Sequence, residues 1–380
     1  MSWYSRIYVF VRQYREKHPF LGFFLHISLY ALLAFQFVGA IFSIYVYNWV
    51  FLRIFVRNAI QRTIYGVVYN YLMFMFFWSI GQTIITKVAR VPKQYYVTPE
   101  VDKQMKEATP FLKGRYEPDA SSQEKAHEQY NLLVEAAESA RLRFVEVDSW
   151  MRLRYCYMCS LIKPDRAHHC MSCGFCVVKY DHHCPWINKC VSHRNYKYFL
   201  LYLIYGMIIA VISVLTSLEA PVRFVLDQNW AEDWPHLLQV LVCLLMHCAF
   251  GYYPLFELLV YHLKLIKDNE TTCEQAKPAN IKGDNHANYN LGTYRNYRAV
   301  FGWGLWAIPV DTRVNDGRHF PVNYPSDSQA ERYVVRRAAE EGKRQLLKNL
   351  LNLLLNSLDL FLTSPTPTHL NLPTANYAEK

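Results

Sequence analysis

The chain has 380 residues, about half of them apolar and 16% aromatic, with a formal net charge of +10. That composition leaves two classes, a large globular protein or a membrane protein with soluble parts. Uncharged runs decide between them: four are long enough to cross a hydrocarbon core, which takes roughly 20 helical residues.

In chain order, residues 1–28 form a basic segment carrying Arg6, Arg12, Arg15 and Lys17. The span behind it is too long for a signal core, so no cleavable leader is expected. Ser2 replaces the glycine that myristoylation requires. Spans one and two are predicted at Leu29–Val50 and Ile64–Thr86, within residues 29–86. A polar stretch, 87–153, follows; Ser122–Phe144 reads as an amphipathic helix, with Tyr130, Leu133, Val134, Ala137 and Leu142 on one face, and serves as a strut or linker. Spans three and four are predicted at Tyr198–Ser217 and Leu237–Phe256, within 198–261. The fold class is therefore an α-helical polytopic membrane protein with four transmembrane helices and a small cysteine-rich domain between helices 2 and 3. Cys243 and Cys248 sit in the fourth span and read as packing residues.

Basic residues near the span ends set the orientation. The N-terminal cluster, Lys87, Arg90 and Lys93, Arg194 and Lys197, and Lys264 and Lys267 all fall on one side, which is predicted to be cytosolic. The third-to-fourth connection carries Glu219, Asp227, Glu232 and Asp233 against Arg223, as a lumenal loop should. Arg53, Arg57 and Arg62 run against this count.

Residues 154–199 hold seven of the ten cysteines. Cys-x-x-Cys pairs with interspersed histidines are how short loops present four ligands to tetrahedral zinc. Cys156, Cys159 and Cys176 recur fourteen residues later as Cys170, Cys173 and Cys190, an internal repeat that implies two interleaved Cys3His sites. The histidine of each site is open on spacing alone, because His168 with His182 and His169 with His183 are both fourteen apart. Cys184 is the leftover thiol. It stands in Asp181-His182-His183-Cys184, where a histidine can take its proton and an aspartate can orient that histidine. Free thiols and zinc thiolates persist in a reducing compartment, in keeping with a cytosolic domain. A zinc knuckle that binds nucleic acid or a partner is the bland alternative, disfavoured because both sites fill without Cys184 and apolar spans flank the domain.

This stretch resembles the cysteine-rich domain of DHHC protein S-acyltransferases, with the Asp-His-His-Cys signature intact. The resemblance puts His169 and His183 on zinc and frees His182 for catalysis. It implies a palmitoyltransferase that moves a long-chain acyl group from acyl-CoA through an acyl-Cys184 intermediate to cysteines of substrate proteins, with two structural Zn2+ ions. Partners would be the membrane, acyl-CoA and cysteine-bearing proteins at its cytosolic face, with no nucleic acid. Localisation would be the secretory pathway: Golgi, endoplasmic reticulum or plasma membrane. Lys163 and Arg166 are candidates for the phosphates of coenzyme A, and Trp186 for the membrane face beside the nucleophile. A catalytically inactive, membrane-anchored zinc scaffold is the other class.

Thr271-Thr272-Cys273-Glu274 resembles the family's Thr-Thr-x-Glu motif, which braces the catalytic domain, and residues 291–302 its second C-terminal motif, with Asn296 expected to be a buried hydrogen-bonding residue. Both lie in residues 262–310. Lys189-Cys190-Val191-Ser192 departs from the family's Asn-Cys-Val-Gly. The tail, 311–380, contains a leucine-rich amphipathic helix at 345–363 and a polar, proline-punctuated end.

Overall fold

The computed structural model describes residues 3–108, 120–149, 151–227, 230–284, 286–314, 317 and 319–324, with Gln345 and Asn349. Residues Met1–Asn323 form one compact unit and Tyr324–Lys380 another. In the second, Gln345 and Asn349 are helical, with Gln345 Nε2 donating to Asn349 Oδ1 at 3.2 Å. The rest of the predicted 345–363 helix lies outside the described residues.

The first unit opens with a helical pair, α1 (Trp3–Lys17) and α2 (Pro19–Ser28). Gly22 permits their crossing, since a Cβ there would lie 2.4 Å from the Arg15 Cα. Helix α3 (Ala31–Tyr45) continues through a π-helical stretch, Val46–Phe55, and α4 (Ala59–Ile85) returns. Asn58 caps α4, its side chain accepting from the backbone of Ile60 at 2.9 Å and Gln61 at 3.1 Å. Two short helices, α5 (Pro99–Ala108) and α6 (Ala120–Ser139), precede the zinc domain. After it come α7 (Tyr196–Ser217), α8 (Glu219–Asp227), α9 (Trp230–Met246), a π-helical turn at His247–Tyr252, α10 (Tyr253–Asp268), α11 (Thr272–Ala276) and α12 (Thr293–Phe301).

Among the described residues, three helices are long and apolar enough to cross a membrane: Ala31–Phe55, Ala59–Ile85 and Tyr196–Asp227. The fourth expected run is carried by α9, the π-helical turn and α10, and is not among those three. The helices share an apolar core in which Val50, Phe51, Tyr69, Leu200, Leu201 and Val240 are buried. The arginines that ran against the charge count are partly explained here. Arg57 pairs with Asp227 at 2.6 Å, and Gln61 donates to Glu219 at 2.8 Å, so the first-to-second connection lies against the acidic third-to-fourth one.

Between α4 and α7 the chain makes short hairpins, β2 with β3, β4 with β5 and β6 with β7, while β1 pairs with β8 from beyond the membrane helices. Their ranges are β1 Glu146–Val147, β2 Tyr155–Cys156, β3 Leu161–Ile162, β4 His168–Cys170, β5 Phe175–Val177, β6 Tyr180–Cys184, β7 Lys189–Ser192 and β8 Asn280–Ile281. Strands this short have too little apolar face to hold themselves together, which is the physical case for cross-linking them through metal. The stretch before them is more than a strut. Leu133 and Ala137 of α6 are buried with Met105 of α5 against Ile162, and Tyr155 donates to Asp102 at 2.7 Å.

Candidate active site

The fourteen-residue repeat becomes a repeat of hairpins. His169 faces Cys176 across β4 and β5, and His183 faces Cys190 across β6 and β7. Each hairpin so offers an opposed His/Cys pair, and the preceding hairpin supplies the Cys-x-x-Cys pair. Cys156, Cys159, His169 and Cys176 gather at one point and Cys170, Cys173, His183 and Cys190 at another, the ligand atoms of each group within 4.8 Å of one another. In the first, His169 Nδ1 lies 3.5, 3.2 and 3.9 Å from the sulfurs of Cys156, Cys159 and Cys176. In the second, His183 Nδ1 lies 3.7, 3.4 and 3.6 Å from those of Cys170, Cys173 and Cys190. Tetrahedral zinc bonds of about 2.0–2.3 Å separate ligand atoms by roughly 3.5–3.8 Å, so both donor sets fit zinc. Cys184 belongs to neither.

Strand geometry decides what spacing left open. Side chains alternate along β6, so His183 turns to the metal cluster while His182 and Cys184 share the opposite face. A register shift between Tyr180 and His182 makes a bulge at Asp181, a device that re-aims a side chain. Asp181 Oδ2 then lies 2.6 Å from His182 Nδ1. Burial disfavours the imidazolium, but the hydrogen bonds to Asp181 and Cys184 and the charge of Asp181 outweigh it and raise the His182 pKa to about 10. Asp181 is buried, which alone would raise its pKa; His182 and the Thr272 backbone N–H reverse that and lower it. Cys184 is 4% exposed and belongs to one buried apolar cluster with Ile80 of α4 and Phe199, Tyr202 and Leu203 of α7. The nucleophile candidate therefore sits where the zinc domain meets the apolar helices.

The Thr-Thr-x-Glu motif braces this strand. Thr272 donates from its backbone to Asp181 Oδ1 at 3.0 Å and from its hydroxyl to the Asp181 carbonyl. Thr271 and Glu274 form a capping box at the start of α11. Asn296 is fully buried, accepts from the Leu291 N–H at 3.0 Å and donates to the Lys267 carbonyl at 2.7 Å, as expected.

One expectation is corrected. Arg166 cannot serve coenzyme A phosphates, because it is 0% exposed and its donors bind Glu274 Oε1 and Oε2 at 2.7 and 2.6 Å and Asn269 Oδ1 at 3.1 Å. The guanidinium also lies over Tyr289 and Phe320 at 4.4 and 5.1 Å from the ring centroids. Lys163 lines a cavity of about 320 Å3 with Arg152, Arg154, His168 and Lys277. Trp186 is 41% exposed beside the nucleophile, with its carbonyl bound by Gln36 Nε2 at 2.8 Å.

Sequence reasoning missed His262. It is 1% exposed in α10, hydrogen-bonds Tyr196 through Nδ1 at 3.0 Å, and brings a ring nitrogen within 4.8 Å of the Asp181 and His182 polar atoms. It also missed Asn195, which is 0% exposed and binds the Cys190 and Thr83 carbonyls at 2.9 and 3.2 Å, tying β7 to the end of α4. A lone histidine or asparagine at a helix carries no spacing signal that could have flagged either.

Two Cys3His clusters that could hold metal, an Asp-His-His-Cys strand and a bundle of apolar helices define the class, a helical membrane protein with a cysteine-rich domain. The family model for the DHHC palmitoyltransferase domain matches residues 150–279. Palmitoyltransferase spe-10 of Caenorhabditis elegans is 46% identical over 334 residues, 88% of this chain and 95% of that protein. Human palmitoyltransferase ZDHHC20 is 33% identical over 265 residues, 69% of this chain and 67% of the relative, and human ZDHHC15 is 30% identical over 295 residues, 76% and 81%. The chain belongs to the DHHC palmitoyltransferase family.

Proposed function

We propose that this protein is an integral membrane S-palmitoyltransferase in which Cys184 carries the acyl group. The observation that supports this most is the Asp181–His182–Cys184 strand abutting two apolar helices, with Cys184 outside both metal donor sets. Zinc, when bound, holds the hairpins together; with four protein ligands per site it has no open position for chemistry.

In this mechanism His182, oriented by Asp181, holds the Cys184 proton. The Cys184 sulfur attacks the thioester carbonyl of acyl-CoA, the carbon–sulfur bond to coenzyme A breaks, and the departing thiolate takes the proton from His182. A substrate cysteine then gives its proton to His182 and attacks the acyl-Cys184 carbonyl, the carbon–sulfur bond to Cys184 breaks, and Cys184 leaves as the thiolate beside the protonated His182, which restores the starting state. The acyl chain lies among the apolar helices beside Cys184, near Leu33, Phe37, Phe76 and Leu258. At about 0.8 kcal/mol per CH2, a sixteen-carbon chain gains on the order of 10 kcal/mol there, which explains why the enzyme is built into a membrane.

The reading has four crossings, with Cys184 on the cytosolic side of a Golgi or endoplasmic reticulum membrane, where acyl-CoA is available. Lys163 remains a candidate for coenzyme A phosphate, and Trp186 for the interface. Purified protein incubated with labelled palmitoyl-CoA should acquire hydroxylamine-sensitive label on wild type and none on Cys184→Ser. Label that survives that substitution would remove Cys184 from the mechanism.

A further inference from the structure

Cys184 ends β6, and the turn Pro185-Trp186-Ile187-Asn188 leads directly into Lys189, its partner across the hairpin. Asn188 holds a left-handed backbone, φ 48°, a conformation that needs outside support. Support arrives from three helices. From α3, Gln36 binds the Trp186 carbonyl at 2.8 Å. At the end of α4, the Ile84 carbonyl accepts from Lys189 Nζ. The third contact comes from α1, where the Tyr8 hydroxyl donates to Asn188 Oδ1.

Helix α1 is docked by its inner face. Tyr8 and Val11 are 6% and 5% exposed, and the Tyr8 ring sits edge-on to the His183 imidazole with centroids 4.7 Å apart. Arg12 lies over the second metal-binding knuckle, where a Cβ on Gly174 would lie 2.0 Å from its Nη1. Three thiolates around a dication leave a net negative charge, which suits a guanidinium at that spot. The outer face of α1 is mixed, with Arg6, Gln13 and Lys17 exposed beside Phe10.

We infer that α1 clamps the nucleophile turn, and that Tyr8 is a positioning residue for the acylation of Cys184, acting through Asn188. The chemistry needs the sulfur held at the thioester carbonyl within a fraction of an ångström, and small misplacements slow such reactions steeply. Tyr8 touches neither substrate nor the reacting atoms, so its effect belongs in the rate of acylation and not in acyl-CoA binding.

The inference rests on acylation of Cys184. The test uses the full chain in lipid nanodiscs with labelled palmitoyl-CoA, counting only label that is absent from Cys184→Ser. Failure of the functional reading would appear in that control; failure of the clamp would appear only in the variants below. Tyr8→Phe, which keeps the ring on His183, and Asn188→Ala should each slow single-turnover acylation about fivefold, with the half-saturating palmitoyl-CoA concentration unchanged and the zinc content of wild type. The double variant should be no slower than the slower single, because both remove one contact. A wild-type rate in Tyr8→Phe, multiplicative losses in the double variant, or a rate loss that tracks zinc loss would each overturn the clamp.

Discussion

Arg166 and Glu274, 108 residues apart, meet in a fully buried bidentate ion pair that joins the turn before β4 to the helix beyond the membrane spans. Its geometry explains why the Thr-Thr-x-Glu motif follows the last membrane helix. Glu274 closes the capping box with Thr271, and that cap presents the next residue, Thr272, to Asp181.

Breaking this pair should therefore damage both folding and catalysis. Removing one partner of a buried pair typically costs about 3–5 kcal/mol, so Glu274→Gln should sharply reduce folded protein on gel filtration. Arg166→Lys keeps the charge but loses the fork and should cost about 1.5–3 kcal/mol. Wild-type thermal stability in both variants would reduce the pair to a passive contact.

Zinc ligands and the proposed nucleophile should separate cleanly. Metal-ligand free energy is folding free energy, so Cys159→Ser or Cys173→Ser should lower zinc content and folded yield, measured by elemental analysis and gel filtration. Cys184→Ser should keep about two zincs per chain, the number its two four-ligand clusters take. A fall to one would make Cys184 a ligand.

Along the proposed triad the losses should be graded. His182→Ala should nearly abolish acyl-enzyme formation, whereas Asp181→Ala should slow it less, because the base remains. Thr272→Val removes the hydroxyl donor to the Asp181 carbonyl while keeping the backbone donor to its carboxylate. One hydrogen bond of about 1 kcal/mol corresponds to a loss of roughly fivefold. Equal rates in Asp181→Ala and wild type would make that carboxylate structural.

Sidedness can be read at two places. Arg57→Cys and Asp227→Cys, at positions whose native side chains meet at 2.6 Å, should both resist a membrane-impermeant maleimide applied to the cytosolic face, and both should react once the membrane is opened. Asn269-Glu270-Thr271 matches the N-glycosylation pattern, but its amide already donates to the Tyr289 carbonyl at 2.7 Å and its oxygen accepts from Arg166. No endoglycosidase shift is expected. A shift lost in Asn269→Gln would put this segment, and the Cys184 strand braced by it, in the lumen.

By itself the sequence determined what depends on local spacing. The fourteen-residue repeat, the surplus of Cys184 and the apolar runs need only neighbours in the chain, because metal ligation and membrane crossing impose their periods locally. The buried Asn296 was legible only through the family motif that its segment resembles. Tertiary structure decided matters that turn on distance and facing. His168 and His169 share the same spacing from their counterparts; the family resemblance chose His169 and His183, and the hairpin register and strand alternation give the physical reason they stand among the thiols. Arg166 reads in the sequence as a candidate for coenzyme A phosphates, and the structure encloses it with Glu274 and Asn269. His262 and Tyr8 reach the Asp181 strand and its following turn from helices 80 and 180 residues away in the chain. Their proximity follows from helices packing across a shared core, and side-chain packing between remote segments leaves no period in the chain that carries them.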